Sequence, residues 1–318
     1  MPSQLVFGES LCFQNLLKTA SKYSATEWPV LIHGETGVGK ELLARKIHEE
    51  SMRSFGPMIA VNCGAMTPGL FESEMFGHER GAYTGATQSS TGLVRKAHGG
   101  TLFLDEIGEL ELPLQVKLLR FIESGEVRSV GAARTEYADV RIFAATHVDL
   151  DRAVSQGKFR QDLLERLSVL RLRVPPLRER KEDIPRIAQY WLRELNAIVD
   201  DAVFPALQSY SWPGNIRQLR NLLIRAAILS ENKISISLMQ RLILEEELRY
   251  AVSPASESFW KGSLAEIEKE VIVAKLKQCG GNRKQTAKEL GIAKSTLHDK
   301  LKRWNTTSPI WYRSMAKH

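Results

Sequence analysis

A chain of 318 residues is too long for one compact core and long enough for two or three domains, and 43% hydrophobic with 25% charged content is ordinary for a folded, water-facing protein. No apolar run approaches the ~20 residues of a membrane span, Met1–Val6 has no signal-peptide character, and Cys12, Cys63 and Cys279 form no C-x-x-C pair. No membrane-spanning helix, disulfide framework or zinc site is indicated, and these features lead us to expect a reduced, cytoplasmic protein.

The net charge of +7 is unevenly distributed. From Trp260 onward there are 13 Lys and Arg against 5 Asp and Glu, whereas the preceding residues hold 31 against 32. That is the footprint of a nucleic-acid-binding module on a near-neutral body, although a solvated basic face has the same balance.

Ser10–Lys22 reads as a helix with Leu11, Leu16 and Leu17 on its apolar side, and its early start leads us to expect no separate sensory domain ahead of it. Val30–Ile32 reads as a buried strand and Glu41–Glu50 as a helix carrying Leu42, Leu43, Ala44 and Ile47. Between them Gly34, Glu35, Thr36, Gly37, Val38, Gly39 and Lys40 form G-x-x-x-x-G-K. In a strand–loop–helix context this is a phosphate cradle: glycines let backbone N–H groups close around phosphate oxygens, and the lysine reaches the outer phosphates. Glu41 departs from the common pattern, in which Ser or Thr ligates Mg²⁺. A glycine-rich surface turn shares the composition, but the flanking strand and helix favour a nucleotide.

Pro57–Val61 reads as a second strand ending at Asn62, a residue that could face a ligand or form a turn. A short helix would then carry Phe71, Met75 and Phe76 inward. Gly81, Ala82, Tyr83, Thr84, Gly85 and Ala86 place an aromatic ring and a hydroxyl between hinge glycines, which suits contact with a partner, as it would a plain flexible loop. Gly100–Leu104 is an apolar strand ending in Asp105 and Glu106. Desolvation penalises both carboxylates, so their pairing points to chemistry: Asp105 to hold Mg²⁺ and Glu106 to polarise the attacking water.

Leu112–Glu123 is amphipathic, and Val140–Thr146 is a strand followed by His147. Arg160 precedes a helical piece, Asp162–Ser168, that carries Arg166; Val169–Val174 is a fifth strand closed by Pro175 and Pro176. Alternating strands and helices predict an α/β fold, a parallel sheet covered on both faces, with the site at the strands' carboxyl ends. From Ile184 to about Leu248 the pattern is helical, with turns at Pro205 and Ser211–Asn215, and Asn215–Arg217 opens a helix.

The tail resumes with a helix over Leu264–Cys279 whose apolar face carries Leu264, Ile267, Val271, Ile272 and Leu276. Asn282 caps Arg283–Leu290, Gly291 turns, and Ala293–Trp304 follows, a helix-turn-helix pattern. Its candidate DNA contacts are Arg283, Lys284, Lys294, Ser295, Thr296, His298, Lys300, Lys302 and Arg303. The expected organisation is a nucleotide-binding core (1–178), a helical lid (179–250), a linker (251–262), an all-α DNA-binding domain (263–304) and a tail (305–318).

Gly81–Ala86 resembles the GAFTGA loop of the bacterial enhancer-binding proteins, the AAA+ activators of sigma-54 RNA polymerase. The resemblance runs from about Leu5 to Arg303 and includes Gly34–Glu41, Glu74–His78, Leu104–Gly108, Phe159–Leu167, Val174–Arg180 and Trp212–Arg217. Glu41 is usual in that family, and the tail is similar to its Fis-type helix-turn-helix.

The resemblance implies ATP and Mg²⁺ as cofactors, with Lys40 on the phosphates, Asp105 on the Mg²⁺-nucleotide and Glu106 activating water. It implies that Asn62 holds Glu106 in an inactive pose, that Thr146 and His147 sit at sensor I, and that Arg217 sits at sensor II. Arg160 and Arg166 would be arginine fingers acting across a homo-oligomeric ring, a hexamer in this family, assembling from a dimer. Tyr83 and Thr84 would touch the sigma-54 holoenzyme, and the tail would bind upstream DNA. Tyr83 replaces the commoner Phe, and Gln218 stands where Glu is usual. Regulation is expected from a separate partner protein or from expression level. Two other readings are a DNA-binding regulator of the same fold that does not activate sigma-54, and an AAA+ ATPase acting directly on DNA; an intact Gly81–Ala86 loop argues against both.

Overall fold

The apolar runs become parallel strands because the central ones are buried on both faces and have no polar side to show to water. In the computed structural model, which describes residues 8–82, 88–230, 233–251, 268–269, 271–273, 275–276 and 282–305, these are β1 (Val30–His33), β2 (Met58–Asn62), β3 (Thr101–Asp105), β4 (Arg141–Thr146) and β5 (Leu170–Arg173). They pair in the order β2-β3-β4-β1-β5, all parallel. Alternation divides their side chains between two cores. Leu31, Leu102, Leu104, Ile142 and Ala144 join one; Val30, Ile32, Phe103, Phe143 and Ala145 join the other.

Helices α1 (Leu11–Ser24) and α2 (Lys40–Glu49) contribute to the second core through Phe13, Leu16, Leu43 and Ile47. Helices α3 (Pro68–Phe76), α4 (Leu112–Ser124) and α5 (Gln161–Leu167) contribute to the first through Phe71, Met75, Leu118 and Leu163. Arg141, the first residue of β4, is a buried charge. Its guanidinium donates to the carbonyls of Tyr23 (2.7 Å) and Ser24 (3.2 Å), tying the sheet to the end of α1, and burial lowers its pKa to about 10.

Beyond β5 the chain turns helical: α6 (Ile184–Glu194), α7 (Val203–Ser209), α8 (Asn215–Leu229) and α9 (Ile236–Ala251). Their core centres on Trp212, fully buried, stacked edge-on against Tyr210 and donating through Nε1 to Leu207 O at 2.7 Å. By contacts, sheet and lid belong to one unit, Met1–Ile243, and Leu244–His318 form another.

In the second unit, α10 (Arg283–Glu289) and α11 (Lys294–Asn305) enclose Ile272, Ala287 and Leu297. Asn282 caps α10 as read, accepting N–H donors from Lys284 (3.1 Å) and Gln285 (3.2 Å). Val271, expected on the apolar face of the preceding helix, is 44% exposed, because only its neighbour Ile272 reaches the small core. Leu264, Ile267, Cys279 and the tail from 306 lie outside the described residues. Among the described residues, no helix is long and apolar enough to cross a membrane.

Candidate nucleotide-binding site

The carboxyl ends of β1, β3 and β4 lie side by side, so the loops leaving them converge. After β1 the chain enters Gly34–Lys40; Gly34 N–H donates to Thr146 O (3.1 Å) at the end of β4. Gly37 and Gly39 have φ of +80° and +100°, backbone that side chains rarely adopt. Gly39 caps α2, whose first turn supplies the positive end of a helix. Lys40 is 6% exposed and bends back over the loop, donating to Gly34 O (2.9 Å) and pairing with Glu106 (3.4 Å). A loop of N–H donors, a helix N-terminus and a buried ammonium together fit a polyphosphate. Glu41 turns along α2 to Arg45 (2.8 Å), so its carboxylate is engaged within its own helix.

The two carboxylates after β3 differ in environment. Burial, reinforced by the charge of Glu106, pushes Asp105 above its ordinary value, so a cation beside it would be stabilising. Burial also works against ionised Glu106, but hydrogen bonding from His147 and the charge of Lys40 outweigh it and leave its pKa lowered. Glu106 sits at φ +53° and its Oε2 meets His147 Nδ1 at 2.6 Å.

Glu106 is held by His147 and Lys40, not by Asn62, whose Oδ1 instead folds back onto the Gly64 N–H (3.0 Å). Thr146 is fully buried, with its hydroxyl accepting the Val148 N–H (3.0 Å); it shapes the turn that presents His147.

The lid brings Arg217 to the loop: its Cβ would lie 3.0 Å from a Cβ placed on Gly37. Arg217 is exposed and forms no ion pair among the described residues. The expected fingers are both at the surface and paired within the chain, Arg160 with Asp162 (2.6 Å) and Arg166 with Glu123 (3.1 Å). Sequence reading gave no individual role to Arg178, Arg180 or Asn215, which reach the phosphate loop from the lid side, although they lie in the motifs Val174–Arg180 and Trp212–Arg217.

The base of the Gly81–Ala86 loop is a short antiparallel ladder, Gly77–His78 with Ser90–Thr91. A second loop braces it through Glu79 N–H to Val130 O (3.0 Å) and Val130 N–H to Gly77 O (2.9 Å). Tyr83, Thr84, Gly85 and Ala86 lie outside the described residues. In the second unit Arg283, Lys284, Lys294, Ser295, Thr296, His298 and Lys302 are exposed. Lys300 is only half-exposed and pairs with Glu268 (2.7 Å), so its charge is already committed. The side chain of Arg303 lies outside the described residues.

Comparison with known proteins agrees with this arrangement. The Sigma-54 interaction domain matches residues 6–173, the AAA+ ATPase lid domain 178–255, and the Bacterial regulatory protein, Fis family, 263–304. The chain is 44% identical over 307 residues to the transcriptional regulatory protein ZraR of Escherichia coli K12, covering 93% of this chain and 68% of that protein. It is 40% identical over 312 residues to the regulatory protein AtoC of the same organism, covering 94% and 67%. Among solved structures, NtrX from Brucella abortus in complex with ATP superimposes with a TM-score of 0.69 at 34% identity, covering 95% of this chain and 69% of that one. The chain therefore belongs to the sigma-54 activator family, with an AAA+ P-loop core, a helical lid and a Fis-type helix-turn-helix.

Proposed function

We propose that this chain is an ATP-hydrolysing activator that binds upstream DNA, assembles into a ring and remodels the closed sigma-54 polymerase–promoter complex into an open one. The observation that carries this reading is the convergence of Lys40, Asp105, Glu106 and Arg217 on one glycine loop, in a chain that also bears a helix-turn-helix.

The N–H groups of Gly34–Lys40, with Lys40 and Arg217, bind the phosphates of ATP. Asp105 is the residue to hold Mg²⁺, which when bound supplies neutralising charge to the phosphate oxygens. Glu106, released from His147 and Lys40, accepts a proton from the water whose oxygen bonds to the γ-phosphorus as the bond to the ADP oxygen breaks. Arg160 and Arg166, leaving Asp162 and Glu123, reach the phosphates of a neighbouring subunit, so hydrolysis depends on assembly. The Gly81–Ala86 loop contacts sigma-54, and the exposed basic face of α10 and α11 contacts DNA.

The test is open-complex formation on a sigma-54 promoter with purified holoenzyme, this protein, and ATP or a non-hydrolysable analogue. Melting with ATP alone is the expected result. Hydrolysis with a promoter that stays closed would refute the remodelling reading in favour of a regulator of the same fold.

A further inference from the structure

The backbone carbonyls of three successive phosphate-loop residues are all taken by donors from the chain beyond β5. Thr36 O accepts Asn215 Nδ2 (3.1 Å), Gly37 O accepts the Ile216 N–H (3.0 Å), and Val38 O accepts Arg180 Nη2 (3.0 Å). A trans peptide holds its C=O and the following N–H on opposite sides. Fixing these three carbonyls outward therefore turns the N–H groups of Gly37, Val38 and Gly39 inward, where the cradle needs them.

The same region holds the one acidic side chain of the loop. Glu35 would repel an anionic ligand, yet it is neutralised by a two-pronged ion pair with Arg178 (2.8 and 2.5 Å) and accepts Asn215 Nδ2 (3.1 Å). Arg178 also holds the Glu35 carboxyl below its ordinary value. Asn215 is the node. It is fully buried, opens α8 at φ +52°, accepts the Leu177 N–H through Oδ1 (2.8 Å), and spends its amide N–H groups on Glu35 and Thr36. The left-handed region tolerates Asn better than most side chains. Arg180 is 1% exposed and packs its guanidinium over Phe13 (4.4 Å).

We propose that Glu35, Arg178 and Asn215 form a clamp through which the lid sets the peptide orientation of the phosphate loop, making them positioning residues for nucleotide binding. The proposal rests on the nucleotide reading above. It assigns the Glu35 side chain to the lid and leaves only the Glu35 backbone to the ligand.

The test uses the full chain and the fluorescent analogue mant-ADP, with thermal unfolding and amide exchange measured alongside. Asn215→Asp keeps the acceptor for Leu177 but sets a negative charge against Glu35 and Thr36 O. Its expected effect is about tenfold weaker mant-ADP binding, the loss of one or two hydrogen bonds, with faster exchange in a peptide spanning 34–40 and unchanged exchange in β3. Glu35→Gln in the Asn215→Asp background restores a donor opposite the new carboxylate and should recover most of the affinity. Glu35→Gln alone, at a half-exposed side chain, tests the Arg178 pair without threatening the fold and should weaken binding several-fold.

Wild-type affinity in both single variants would overturn the clamp. So would a loss in Asn215→Asp that Glu35→Gln does not recover and that tracks a fall in Tm, since that is a purely structural effect. Failure of the wild-type chain to bind mant-ADP would overturn the nucleotide reading and the clamp with it.

Discussion

Replacing Gly37 by Ala probes the contact between phosphate loop and lid with one methyl group. A Cβ there would lie 2.5 Å from Gly214 O and 3.0 Å from Arg217 Cβ, on a backbone at φ +80°. The left-handed conformation alone costs about 1 kcal/mol. Relieving the 2.5 Å approach requires an opening of about 1 Å to reach ordinary contact. That opening carries the Ile216 N–H to Gly37 O bond (3.0 Å) and the Asn215 to Thr36 O bond (3.1 Å) beyond hydrogen-bond range. At about 1 kcal/mol each, the total is about 3 kcal/mol, or about a hundredfold weaker nucleotide binding. Gly39→Ala is the matched control. It shares a positive φ, +100°, but its nearest atoms lie at 3.9 and 4.0 Å, so only backbone strain opposes it. Titration of both variants with mant-ADP should show about thirtyfold more loss for Gly37→Ala, the difference of about 2 kcal/mol between the two. Equal losses, or a greater loss at Gly39, would refute the idea that contact with the lid shapes the loop.

Lys40→Ala should abolish nucleotide binding in the same titration, whereas Thr84→Ala should retain phosphate release and lose promoter opening; loss of phosphate release in the Thr84 variant would refute its role as an output element. His48, buried in α2 with Nδ1 2.9 Å from Thr101 Oγ1, has its pKa lowered by burial from 6.5. The unfolded chain therefore takes a proton that the folded chain refuses, so stability is lost as pH falls below about 6.5 toward the lowered value; His48→Gln should flatten that part of a Tm-against-pH curve. On DNA, Lys294→Ala and Lys302→Ala should each reduce the slope of log affinity against log salt by about one, while Lys300→Ala, already paired with Glu268, should change it less.

Local pattern reveals what local physics determines. Apolar runs such as Thr101–Leu104 must lie inside a covered sheet, and glycines around Lys40 must bend the backbone, so both were legible, as were the strand ends where Asp105 and Glu106 stand. The side chains' partners were less so. Asn62 ends β2 and His147 follows the end of β4, and nothing in their spacing says which one turns toward Glu106; the fold decides, because β4 lies between β1 and β3 and the turn after it presents His147 to the carboxylate. Lys300 reads as a free basic contact until Glu268, 32 positions earlier, is brought against it.

The clamp is the extreme case. Glu35 meets Arg178 across 143 positions and Asn215 across 180, separations at which no periodicity survives. The sequence does show an acidic residue inside a loop built for anions, which local chemistry leaves without a purpose. Such a mismatch between residue and surroundings is the sign that a distant partner completes the site. Here that partner is the lid, which places nucleotide affinity under the control of lid position before any residue touches the reacting phosphate.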